Sequence, residues 1–128
     1  MPSLIFDTNF LVYAAKYKLF HNLETLGYKF IILDKVIVEL ERISKNKKKK
    51  LQDREAAILA MEIIKKWVKK GEAKYLKTKK NVDEAILDFS KENDVVVATM
   101  DSELKKKLKA QNKKVIIVRQ KKLIVEEY

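Results

Sequence analysis

The chain has 128 residues, 47% of them hydrophobic and 37% charged, with 29 Lys+Arg against 18 Asp+Glu for a formal net charge of +11. That length and apolar share suit one compact domain with its own core. The absence of cysteine excludes disulfides, iron–sulfur clusters and thiolate zinc sites, and a single histidine excludes a histidine cluster, so any metal must be held by oxygen.

Residues 4–6 read as a short apolar strand ended by Asp7, Thr8 and Asn9, after which Phe10, Leu11, Val12, Ala14 and Ala15 continue as a helix. An amphipathic piece over 19–26 stops at Gly27, and 30–33 form a second buried strand, after which Asp34 is expected to cap a helix. In that helix Val36, Leu40 and Ile43 share a face, and at 100° per residue Glu39 falls beside Ile43 on the border of the apolar stripe. A carboxylate there gains nothing from capping or from the helix dipole. The lysine-rich residues 45–50 precede a long helix over 51–70, whose Ala56, Leu59, Ala60, Ile63, Ile64 and Trp67 follow helical spacing, with Trp67 assigned to the core.

Residues 73–76 give a weak strand signal, and Asn81 then caps a helix with Glu84 at the capping-box position and Asp83 in its first turn. Ile86, Leu87 and Phe89 turn that helix inward; 95–98 is a β-branched strand, Asp101 caps a helix over 104–110, and 115–118 close the series. The segment 119–128 reads either as an edge strand at 123–125 or as an appended piece. Continuous apolar strands alternating with helices predict an α/β fold, a three-layer α/β/α sandwich around a central parallel sheet, with one domain over 1–118 followed by that segment. No apolar stretch approaches the roughly 20 residues of a membrane span, and a soluble, cytoplasmic protein without membrane attachment is the expectation.

In a parallel sheet Asp7 and Asp101 lie at the same edge, and the helices that start there bring Glu39 and Asp83 toward the same crevice. Each acid taken singly has a plainer role as a cap or a first-turn dipole partner. Together they would repel one another unless a cation neutralises them or protons stay bound. Oxygen donors alone select a hard ion, Mg²⁺ or Mn²⁺, and such ions serve phosphodiester hydrolysis.

The segments Leu4-Ile5-Phe6-Asp7-Thr8-Asn9, Glu39 within a helix, Val82-Asp83-Glu84-Ala85-Ile86 and Val97-Ala98-Thr99-Met100-Asp101-Ser102-Glu103-Leu104 resemble, in order and spacing, the four acidic motifs of PIN-domain ribonucleases. The last two are most similar to archaeal and eukaryotic PIN proteins related to ribosomal-RNA processing endonucleases. The resemblance implies a PIN-like fold and a divalent-metal-dependent endoribonuclease in which Asp7, Glu39, Asp83 and Asp101 coordinate one or two Mg²⁺ or Mn²⁺ ions. Asn9 and Thr99 would assist as neighbours, and Glu84, where the family often has a second Asp, would support Asp83. It leaves open a toxin, processing or decay role, and admits a homodimer, an antitoxin or a ribosome-assembly factor as partners.

RNA is also what the charge suggests, since a field this basic attracts polyanions. The runs at 45–50, 65–70, 77–80 and 105–109 would contact phosphates, with Lys47, Lys48, Lys49, Lys50, Lys105 and Lys106 the leading candidates and a solvated surface the plain alternative. Tyr13, Tyr17 and Tyr75 are aromatic enough to stack on bases, but the sequence does not separate them from core or rim residues.

Other readings fare worse. A receiver-type phosphoacceptor would use Asp34, Thr99 and Lys114, yet Asp34 follows the second strand rather than the third, and Asp7 stands alone where an acidic pair belongs. A haloacid-dehalogenase-like phosphatase needs an acid at position 9, which is Asn. A catalytically silent PIN-fold RNA-binding scaffold would keep the basic surface and remains the runner-up.

Overall fold

The computed structural model describes residues 2–127. Met1 and Tyr128, where the segments 1–118 and 119–128 begin and end, lie outside the described residues. The strands are β1 (Ser3–Phe6), β2 (Lys29–Leu33), β3 (Ala73–Leu76), β4 (Val95–Ala98), β5 (Val115–Arg119) and β6 (Lys122–Glu126). The helices are α1 (Thr8–Lys16), α2 (Phe20–Thr25), α3 (Asp34–Lys45), α4 (Leu51–Lys69), α5 (Val82–Glu92) and α6 (Ser102–Ala110).

The sheet order is β3-β2-β1-β4-β5-β6, parallel through β5, with β6 antiparallel at the edge. The central parallel sheet expected from sequence is present, and of the two readings left open for the segment after 118 the edge strand is the one observed. Arg119 pairs with Lys122 across a two-residue turn in which Gln120 and Lys121 both have positive φ, so the chain reverses without a crossover helix. The segment after 118 is thus hydrogen-bonded into the same sheet. Helices flank the sheet in two groups: α1, α3 and α4 pack on one another, and α5 packs on α6 and β4.

Burial explains the unbroken apolar strands. Leu4, Ile5 and Phe6 of β1, and Val95 to Ala98 of β4, are covered by helices and are essentially inaccessible. Trp67 of α4 stacks on Phe6 (centroids 5.8 Å apart) and packs on Phe30 at 4.4 Å, while its indole N–H donates to Glu24 Oε2 at 2.9 Å. This aromatic cluster clamps the end of β1 immediately before Asp7.

The chain runs outward from β1 through β2 to β3, then crosses back to β4 and continues the other way. The direction reverses between β1 and β4, which opens a crevice at the carboxyl ends of those two strands. Their register, Ile5 with Val97 and Phe6 with Ala98, sets Asp7 level with Thr99 there. Among the described residues no helix is long and apolar enough to cross a membrane.

Candidate active site

Four carboxylates meet in that crevice. A cavity of about 420 Å³ is lined by Asp7, Glu39, Asp83 and Asp101 together with Thr8, Asn9, Arg42, Ile43, Asn81 and Val82. Asp7 leaves β1 in extended conformation and caps α1: its Oδ1 accepts from Thr8 N at 2.8 Å and its Oδ2 from the Thr99 hydroxyl at 2.9 Å. Thr99 is fully buried, and its Oγ1 also accepts from Asp101 N at 3.1 Å, so one hydroxyl ties two of the acids together. Asp101 caps α6 through Oδ1, which takes Glu103 N at 2.8 Å and Leu104 N at 3.1 Å, and leaves Oδ2 without a hydrogen bond among the described residues.

Glu39 approaches from the middle of α3 and accepts a hydrogen bond from the Thr8 hydroxyl. The Asp83 carboxylate, at the start of α5, has no hydrogen bond and no ion pair among the described residues. Its approach is set indirectly by Asp34. The sequence assigned Asp34 to a helix cap, but Asp34 is already inside α3, and its Oδ1 accepts from Lys35 N at 2.9 Å and from Thr78 N at 3.1 Å. It pins the loop between β3 and α5, and Lys35 Nζ reinforces the pin on Lys79 O at 2.8 Å.

The acids perturb one another. Burial is the largest influence on Asp7, and with repulsion from Asp83 and Glu39 it outweighs the hydrogen bonds from Thr99 and Thr8, raising the carboxyl from 3.8 to about 6. Asp83 is also raised, first by desolvation and then by Asp101 and Glu39, while Lys107 partly offsets this. Among the described residues, however, no three acidic or imidazole groups stand close enough together to hold a metal ion as they are. The four side chains share a cavity and feel each other's charge without forming a closed ligand shell.

Of the supporting residues, Thr99 holds Asp7 and Asn9 lines the cavity. Glu84 does not line it. Its backbone N donates to Asn81 Oδ1 at 2.9 Å and its Oε1 accepts from the Asn81 amide at 3.2 Å, so it serves the helix cap, and its assignment as support for Asp83 is corrected. Lys47, Lys48, Lys49 and Lys50 lie in the exposed link between α3 and α4. Lys105 is engaged by Glu126 of β6 at 3.4 Å, Lys106 is exposed, and Lys107 is the lysine of α6 whose charge reaches Asp83. The sequence singles out the first two and takes Lys107 only as part of the run 105–109.

Thr8, Arg42 and Asn81 also line the cavity, although the sequence assigns none of them to the site and gives Asn81 only the helix cap. The position of Thr8 beside Asp7, and of Arg42 one helical turn beyond Glu39, were the signals available.

Comparison with known proteins agrees with this fold. A family model described as "PIN like domain" matches residues 4–121. This chain belongs to the PIN-like domain family. A curated relative, Ribonuclease VapC4 of Methanocaldococcus jannaschii, is 41% identical over 129 residues, spanning 95% of this chain and 94% of its own length. The matched region contains all four cavity acids of this PIN-like chain and ends in the turn before β6.

Proposed function

We propose that the protein is a divalent-metal-dependent endoribonuclease that hydrolyses RNA phosphodiester bonds in the cavity bounded by Asp7, Glu39, Asp83 and Asp101. The observation that carries the proposal is the convergence of these four carboxylates, from β1, α3, α5 and the start of α6, at the switch point of a strongly basic protein. Membership of the PIN-like family and likeness to a protein named a ribonuclease support the reaction class.

The donor set fits Mg²⁺ or Mn²⁺: it is all oxygen, it contains no imidazole or thiolate, and two of its members are held above their ordinary carboxylate range by burial and by repulsion from the other acids. Asp7, Glu39, Asp83 and Asp101 would hold the ion. When bound, it supplies an activated water and charge neutralisation at the departing oxygen. Thr99 orients Asp7 by donating to Oδ2 and steadies the Asp101 backbone. Thr8 holds Glu39 toward the cavity by donating its hydroxyl to the carboxylate. Arg42, at the cavity rim and without an ion-pair partner among the described residues, is placed to meet phosphate oxygens.

The open spacing of the acids is the observation that favours a silent RNA-binding scaffold instead. Incubation of an RNA panel with Mg²⁺ or Mn²⁺ decides between the two. Asp7→Asn and Asp101→Asn should each abolish cleavage while leaving RNA binding unchanged or slightly tighter, because removing negative charge does not weaken attraction to a polyanion. Cleavage retained in both variants, or absent from the wild type, rejects the nuclease reading. Sequencing the RNA ends made by the wild type but not by Asp7→Asn then identifies the substrate. A protein partner and a homodimer belong to the same proposal and are read from the mass of the purified protein in solution, alone and with RNA.

A further inference from the structure

A tyrosine and a lysine that the proposed chemistry does not use meet in a second cavity. This groove, of about 200 Å³, opens beside the acidic one: Asn9 and Ile43 line both, and Tyr13, Lys16, Lys49 and Asp53 enclose the rest. Asn9, Tyr13 and Lys16 recur at i, i+4 and i+7 along α1, so they form one face of the helix that starts at Asp7 and leads away from it.

The ring of Tyr13 is 37% exposed, and its aromatic neighbour Tyr17 is tilted, with centroids 6.1 Å apart. Lys16 Nζ lies 5.4 Å from the Tyr13 centroid, but its charge is committed to an ion pair with Asp53 of α4. Lys49 is different. Its backbone N donates to Asn46 O in the turn after α3, and its exposed ammonium has no ion-pair partner among the described residues.

An exposed tyrosine alone is ordinary protein surface. Here the ring shares a groove with a side-chain amide and with an ammonium that has no ion-pair partner among the described residues, beside the cavity lined by four acids. Single-stranded nucleic acid is bound by this combination, with bases stacked on aromatic faces and phosphates on cations.

We propose that this groove binds the nucleoside flanking the scissile phosphate, its base stacked on Tyr13 and its outer phosphate on Lys49; the proposal rests on the ribonuclease reading. It assigns Lys49 a specific task within the lysine run, and Tyr13 a place in substrate choice. Asn9, shared by the two cavities, marks the passage of the backbone from one to the other.

The test uses short single-stranded RNAs carrying 2-aminopurine at successive positions, bound to Asp7→Asn protein so that nothing is cut. Stacking quenches this fluorescent base, so binding should quench it most strongly at one position. Tyr13→Ala should remove that quenching and weaken binding about 5- to 150-fold, the range of one base–aromatic stack. Tyr13→Phe should keep both. Tyr13→Gln, a helix-compatible replacement, should repeat the loss, with circular dichroism checking that each variant is folded. Lys49→Ala should leave the quenching position unchanged and flatten the salt dependence by about 0.7 in log–log slope.

Quenching that survives Tyr13→Ala, or is absent at every position, overturns the groove. Because this readout needs no turnover, it is separable from the catalytic reading. Metal-dependent cleavage by the wild type that is lost in Asp7→Asn upholds that reading whatever the groove does.

Discussion

Replacing Asp7 by Asn should make the metal-free protein more stable at neutral pH, although it removes a proposed metal ligand. Asp7 is only 8% exposed and its carboxyl is raised from 3.8 to about 6. A carboxyl raised on folding contributes stability that is fully present below about pH 4 and is lost as pH rises through about 6. That rise corresponds to a cost on the order of 3 kcal/mol above pH 7. Asn carries no charge and escapes this cost. It keeps one acceptor for Thr8 N but cannot accept from Thr99 with its amide nitrogen, which forfeits about 1 kcal/mol. The net gain is therefore about 2 kcal/mol at pH 8, or roughly 5–10 °C in melting temperature for a chain of this size. Below pH 4 the gain should vanish and the variant should be slightly the less stable. Thermal unfolding followed by circular dichroism in EDTA, from pH 4 to 8, measures this directly. A difference between wild type and variant that is flat across that range refutes the assignment of a buried, proton-hungry carboxylate at Asp7. Saturating Mg²⁺ should stabilise the wild type alone, by about 2.7 kcal/mol at a hundred times its dissociation constant, and so close the gap.

Thr99→Val removes the donor to Asp7 and the acceptor of Asp101 N; it should raise the Asp7 carboxyl further, shift the acidic limb of the cleavage pH profile upward and cut cleavage at pH 7, and an unmoved limb would show that Thr99 does not tune Asp7. Glu84→Ala should lower stability by about 1 kcal/mol or less through the α5 cap and leave metal-dependent cleavage unchanged; loss of cleavage with the fold intact would return Glu84 to the site. Gln120→Asn with Lys121→Gly fits the two left-handed positions of the β5–β6 turn and should raise the denaturation midpoint by the equivalent of about 1 kcal/mol or more, whereas a lowered midpoint would contradict the turn geometry.

Three of the four acids were legible because each breaks a pattern that burial imposes, whereas Asp83, an ordinary first-turn acid, was legible only through the resemblance of residues 82–86 to a PIN motif. Asp7 and Asp101 interrupt apolar runs at strand ends, and Glu39 intrudes on the border of a buried stripe where no helix-end effect accounts for it. What escaped notice depends on distant pairing. The reach of Asp34 to Thr78 joins parts of the chain 44 residues apart, and nothing in the local sequence of either residue signals it. Asp34 was read as a cap because an Asp before a helix usually is one. The final hairpin was undecidable for a different reason. Its turn is made by Gln120 and Lys121, which carry none of the Asn, Asp or Gly preference that marks such turns, so sheet pairing overrides local propensity there. Arg42 and Thr8 were missed because a rim residue is defined by the cavity rather than by its neighbours in the chain.

The central claim is that four carboxylates from separate elements act as one seat for a hard divalent ion. Crystals grown with Mn²⁺ and measured at its absorption edge test this most directly. The account expects one or two anomalous peaks in the cavity within about 2.0–2.3 Å of oxygens from Asp7 and at least two of Glu39, Asp83 and Asp101, with those side chains drawn together relative to the metal-free arrangement. A fully loaded crystal with no peak there, or with peaks only at unrelated surface carboxylates, would contradict it.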